Sequence, residues 1–174
     1  MMTVIKILIY LILIGYLLRQ AAMDAKTGYV VKIYNDIALA VSFTGMVIDL
    51  YIKYGSSFFT EAAALFIREA FVVCLCLYLI SSDRVPRFLK IMQKADAKAF
   101  ATVYFSSFVL FSEGSSLKIL CLSIFFANIF FMGWYHLINK EKVKMVSDVH
   151  KPYFPFILSG YIATTVLYLF VKLL

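Results

Sequence analysis

The sequence predicts an all-α, polytopic membrane protein: a six-transmembrane-helix bundle forming a single domain over residues 1–174. Three observations carry that prediction. Hydrophobic residues make up 63% of the chain and the mean hydropathy is +0.90, against about 45–50% apolar in a soluble domain. A chain of this size cannot hide that much apolar surface from water, so lipid must be part of its solvent. The apolar residues also gather into long runs, and the charges fall in short links between them.

A spanning helix needs about 20 mostly apolar residues. The first run, Val4–Ala22, meets this, as do Ile33–Ile52, Phe58–Ile80, Leu117–Ile138 and Tyr153–Leu174. The fourth, Ala97–Phe111, is short and reaches span length only if its helix begins near Lys94, with Asp96 in the first turn. The links are short, as a compact bundle requires. There is no internal repeat and no low-complexity tract. The first run is not a signal peptide: it exceeds the usual 7–15-residue apolar core and its basic flank, Arg19, lies on the C-terminal side.

Lysine and arginine set the orientation. The first link holds Arg19, Lys26 and Lys32. The third holds Arg84, Arg87, Lys90, Lys94 and Lys98, and the fifth Lys140, Lys142, Lys144 and Lys151. The opposite side holds only Lys6, Lys53, Lys118 and Lys172. By the positive-inside rule the odd links face the cytoplasm and both termini face outward, in a multi-pass protein of the cytoplasmic membrane. The formal charge of +7 therefore records topology, and no nucleic-acid partner is expected. Cys74, Cys76 and Cys121 sit inside apolar runs without a paired spacing, and His136 and His150 are isolated. The cysteines read as small core residues, and neither a disulfide framework, a metal nor a cofactor is expected.

Two Asp-Ala-Lys triplets stand at hydrophobic boundaries. Asp24 lies just past the end of the first run and Asp96 at the start of the fourth. This topology puts both at one depth on the cytoplasmic side, where they can face each other. Each also has a plain structural explanation. An aspartate at a helix start is favoured by capping and by the helix dipole, and Asp24 beside Lys26 costs little at an interface.

The surrounding stretches resemble a family. AAMDAKTGYV, residues 21–30, resembles the first aspartate motif of the type IV prepilin peptidases, the GxGD-type aspartic membrane proteases that include the preflagellin peptidases. KADAKAF, residues 94–100, resembles their second motif, GxGDxK, with Asp96 on its Asp and Lys98 on its Lys. HKPYFPFILSG, residues 150–160, resembles the opening of their last helix through Pro152, Pro155 and Gly160. Gln93 and Ala95 replace the two glycines of the second motif, Ala95 keeping a small side chain, and Val31 replaces a common proline of the first. The resemblance, read without the N-terminal cysteine-bearing domain with which many prepilin peptidases methylate their product, implies a protease-only form as the expectation.

The resemblance implies a membrane aspartic endopeptidase with Asp24 and Asp96 as the catalytic pair, supported by Lys98 and Ala95. Its partners would be membrane lipid and pilin-like precursors, each with a basic leader and an apolar helix, cut at the cytoplasmic face. The cytoplasmic links are themselves basic, with Asp83, Glu141 and Asp148 their only acids outside the pair and Asp36. The glycine departures motivate an alternative: a catalytically inactive relative acting as a membrane assembly factor of a pilus or secretion system. A Ser/Lys peptidase built on Ser115 or Ser116 with Lys118 lacks anything to bury and activate the lysine. A transporter is disfavoured by the missing repeat.

Of the remaining charges, Arg68 and Glu69 lie mid-segment, where charge is costly unless paired. Adjacent helical residues do not face each other, so each is expected to find a partner on another helix, with Asp49 the candidate for Arg68. Asp36 has Lys32 four residues before it and reads as a surface pair. Phe125, Phe126, Phe130, Phe131 and Trp134 read as lipid-facing or packing residues.

Overall fold

The computed structural model describes residues 2–83, 92–111, 113–138 and 152–173. Arg84, Arg87, Lys90, Lys140, Glu141, Lys142, Lys144, Asp148, His150 and Lys151 lie outside the described residues. Among the described residues the fold is all-helical, with no strand. The helices are α1 (Met2–Thr27), α2 (Lys32–Tyr54), α3 (Phe58–Leu65), α4 (Phe71–Ser81), α5 (Lys94–Leu110), α6 (Glu113–Gly133) and α7 (Phe154–Leu173). A 3-10 turn, Gly55–Ser57, joins α2 to α3, and a π turn, Phe66–Ala70, joins α3 to α4. A second π turn, Trp134–Ile138, extends α6.

Among the described residues, four helical stretches are long and apolar enough to cross a membrane: Lys6–Thr27, Lys32–Ser81, Ser115–Leu137 and Phe154–Lys172. The expected six helices are corrected, among the described residues, to five, because helix continues without a loop from Lys32 to Ser81, merging the second and third runs. The link between those runs takes the form of a 3-10 turn, Gly55–Ser57. Straight, these 50 residues would measure roughly 75 Å at 1.5 Å per residue. Yet both ends touch the start of α5: Asp36 pairs with Lys98, and Ile80 O accepts the Met92 N–H at 3.4 Å. The stretch therefore doubles back on itself. Gly55, with φ +50, supplies the backbone conformation that a side-chain-bearing residue rarely adopts.

The core is built around α5. Every residue from Asp96 to Val109 is buried except Lys98, and the helix packs against α1, α2, α4, α6 and α7. A helix buried all round is the centre of its fold. Its neighbours carry the apolar outer surface, for example Leu8 and Leu11 on α1, Phe71 and Leu75 on α4, and Val166 and Phe170 on α7, all exposed. A water-soluble monomer rarely shows so much continuous apolar surface, and a bilayer solvates it. Phe125, Phe130 and Trp134 belong to this outer face, whereas Phe131 is fully buried.

Small residues draw the helices together. Ser42 on α2 and Ser106 on α5 share a buried hydrogen bond of 2.8 Å. At Gly160 on α7, an added Cβ would lie 2.6 Å from Ser123 O and 2.7 Å from Ala127 N of α6. Only glycine permits that backbone approach.

Candidate active site

The site forms where α1 ends and where α5 and α7 begin. Gly28, at φ +67, stops α1 as a left-handed cap, its N–H donating to Asp24 O at 2.8 Å. The helix thus runs five residues beyond Ala22, the last residue of the apolar run. This corrects the expectation for Asp24, which stands on the last turn of α1 rather than past its end.

Asp24 is buried, with 6% of its surface exposed. Its Oδ2 accepts the backbone N–H of Tyr153 at 2.6 Å and of Phe154 at 2.9 Å. The first N–H groups of a helix have no partner within it, and a carboxylate there also meets the positive end of the helix dipole. The Tyr153–Phe154 step is held by edge-on aromatic contacts. Tyr153 meets Phe100 at 6.4 Å and Phe131 at 5.3 Å between ring centroids, and Phe154 meets Tyr16 at 6.3 Å.

Asp96 is equally buried, at 5%. It occupies the third position of α5 in a capping box. The Gln93 side chain accepts the Asp96 N–H, and Asp96 Oδ2 accepts the Gln93 N–H at 3.1 Å. Gln93, the departure from the glycine pattern, thus has a local structural role.

Asp24 and Asp96 line one cavity of about 280 Å³, together with Gly28, Tyr29, Val30, Gln93, Ala95, Tyr153 and Phe154. The structure therefore brings together Asp24, Asp96 and Ala95 of the residues singled out in the sequence. It does not bring Lys98 to them. Lys98 forms an ion pair with Asp36 on α2, since two residues beyond Asp96 it projects from nearly the opposite side of α5. Asp36 thus pairs across helices with Lys98, while Lys32, its expected partner, also acts on it electrostatically.

Behind the cavity lies a polar network that the sequence did not reveal. Gln20 on α1 is fully buried. Its Nε2 donates to Asn35 Oδ1 at 2.7 Å and to Val31 O at 3.0 Å, and its Oε1 accepts the Val31 N–H at 3.2 Å. Tyr16 OH donates to the same Asn35 oxygen at 2.9 Å. These bonds tie α1 to the start of α2 and set the loop carrying Gly28, Tyr29 and Val30. In the sequence, Gln20 reads only as a polar flank of an apolar run.

Two other expectations are corrected. Arg68 Nη2 donates to its neighbour Glu69 Oε1 at 2.9 Å, although adjacent residues on an α-helix diverge. Both lie in the π turn, whose wider winding changes the angular spacing of side chains. Cys76 and Cys121 are exposed on the apolar outer surface and only Cys74 is half-buried, because their helices turn those positions away from α5. In comparisons with known proteins, the chain matches no family model, no curated protein and no solved structure.

Proposed function

We propose that this chain is a membrane aspartic endopeptidase that uses Asp24 and Asp96 to remove a short basic leader from pilin-like precursors. The observation that supports this reading best is the cavity itself. Two carboxyl groups from distant parts of the chain, both buried, line one space open enough to admit water and a peptide backbone. Two carboxyl groups in one buried site do not both ionise readily, so one keeps a proton. The ionised partner takes a proton from water as that water attacks the peptide carbonyl. The protonated partner donates to the carbonyl oxygen and then assists departure of the amine. The pair titrates as a unit, and the two roles belong to the pair. In this reading the dyad end faces the cytoplasm, both termini lie outside, and the folded stretch Lys32–Ser81 crosses the membrane twice. Resemblance to the prepilin peptidases rests on the three sequence stretches given above.

A second reading is an inactive assembly factor, and the capping box favours it. Asp96 already has a structural task at the head of α5, which is sufficient reason for an aspartate there. Asp24→Asn and Asp96→Asn decide between the two. Each variant should insert and accumulate yet lose cleavage of a co-expressed precursor, by on the order of a thousandfold or more. Asp36→Asn and Asp83→Asn should retain it. The assay is a mobility shift of the precursor in membranes. Cleavage by either dyad variant would exclude the aspartic mechanism. Absence of cleavage by the wild type across several precursors would favour the assembly factor.

A further inference from the structure

Two more cavities open beside the start of α5. One, of about 380 Å³, is lined by Val30, Lys32, Asn35, Lys94, Ala95 and Lys98. The other, of about 310 Å³, is apolar: Leu39 from α2, Cys74 and Leu77 from α4, and Ala97 and Ala101 from α5 enclose it, with Lys94 and Lys98 at its lip. The shared lysines make the two a single cleft, basic at one end and apolar at the other. Ala97 and Ala101 are one helical turn apart, so the floor formed by α5 is free of bulk. The flanking outer surfaces carry exposed Ile33 and Ile37 on α2, and Leu75 and Leu79 on α4, so the cleft opens among lipid-facing side chains.

We propose that this cleft binds one anionic phospholipid, its phosphate among Lys32, Lys94 and Lys98 and one acyl chain in the groove between α2 and α4. The charges facing the basic end favour a monoanion. Lys98 pairs with Asp36, and Lys94 pairs with Asp83 at 2.5 Å. Among the described residues, three cations against two carboxylates leave one net positive charge, which a phosphodiester neutralises. Basic pockets between helices at the edge of a bilayer are recurrent headgroup sites. A free anion would use only the lysines, whereas a phospholipid uses both halves of the cleft. The proposal is independent of the peptidase reading, because its test measures retained lipid and not cleavage.

The test is native mass spectrometry of the full-length protein in mild detergent with equimolar phosphatidylglycerol and phosphatidylcholine of identical chains. The wild type should retain one phosphatidylglycerol in preference to phosphatidylcholine. Lys32→Gln should weaken that retention about fivefold, the worth of one lysine near a headgroup. Ala101→Phe, which fills the groove, should abolish it, and Leu39→Trp serves the same end if Ala101→Phe does not fold by circular dichroism. Lys26→Gln, on α1 and outside the cleft, should change nothing. Equal retention of the two lipids, or an unaltered Lys32→Gln, would overturn the proposal. Displacement of the lipid by millimolar inorganic phosphate would also overturn it, making the cleft a bare anion site. Displacement by an acidic peptide would overturn it in favour of a peptide groove.

Discussion

Removing the Asp24 carboxyl group should cost the fold more than neutralising it. One oxygen of Asp24 accepts two backbone N–H groups, Tyr153 N at 2.6 Å and Phe154 N at 2.9 Å. Asp24→Ala leaves both donors without their acceptor. A buried donor left unpaired costs about 1–3 kcal/mol. The adjoining cavity of about 280 Å³ admits water, so each donor recovers part of that cost. A total of about 2–3 kcal/mol follows, and at about 2–4 °C per kcal/mol for a chain of this length the melting temperature should fall by roughly 5–10 °C. Asp24→Asn keeps an acceptor oxygen in place and gives up only the charge, so its melting temperature should stay within about 3 °C of the wild type. The assay is thermal unfolding of the two variants in one detergent, with hydrogen exchange at Tyr153 and Phe154 as the local readout. Exchange there should accelerate in the alanine variant alone. Equal melting temperatures for alanine and asparagine, with unchanged exchange at both amides, would refute the assignment of Asp24 as the anchor of α7.

Other outcomes follow from the same geometry. Lys98→Gln breaks a pair with Asp36 whose side chains are 36% and 45% exposed, so denaturation should register less than about 1 kcal/mol. Gly160→Ala must separate α6 from α7 and should cost about 1–3 kcal/mol, read as a lowered melting temperature. Reporter fusions at Ser56 and Asp83 should fall on opposite sides of the membrane, since the helical stretch reverses at Gly55; the same side for both would contradict that reversal.

The helices and their apolar faces were legible because hydropathy and length decide them. Asp24 and Asp96 were legible because a carboxylate at the edge of an apolar run is conspicuous. What stayed hidden depends on backbone geometry that side-chain pattern does not encode. Gly55-Ser56-Ser57 looks like a loop, but the three residues form a 3-10 turn opened by the positive φ of Gly55. The π turn over Phe66–Ala70 has no compositional mark, so the meeting of Arg68 with Glu69 was unforeseen. Gln20 and Asn35 acquire meaning only when α1 lies beside α2. Lys98 was tied to Asp96 by the resemblance to the second motif, whereas its place on α5 turns it to Asp36.

The bonds from Asp24 to Tyr153 and Phe154 also order events in time. Donor and acceptor are separated by 129 and 130 positions in the chain. At about 5–20 residues per second, a ribosome needs roughly 7–26 s to travel that distance. Throughout this interval α1 is already made, yet Asp24 has neither of the backbone donors that hold it, and the cavity lacks its Tyr153–Phe154 wall. Any chemistry of the pocket is therefore withheld from the nascent chain until α7 has emerged.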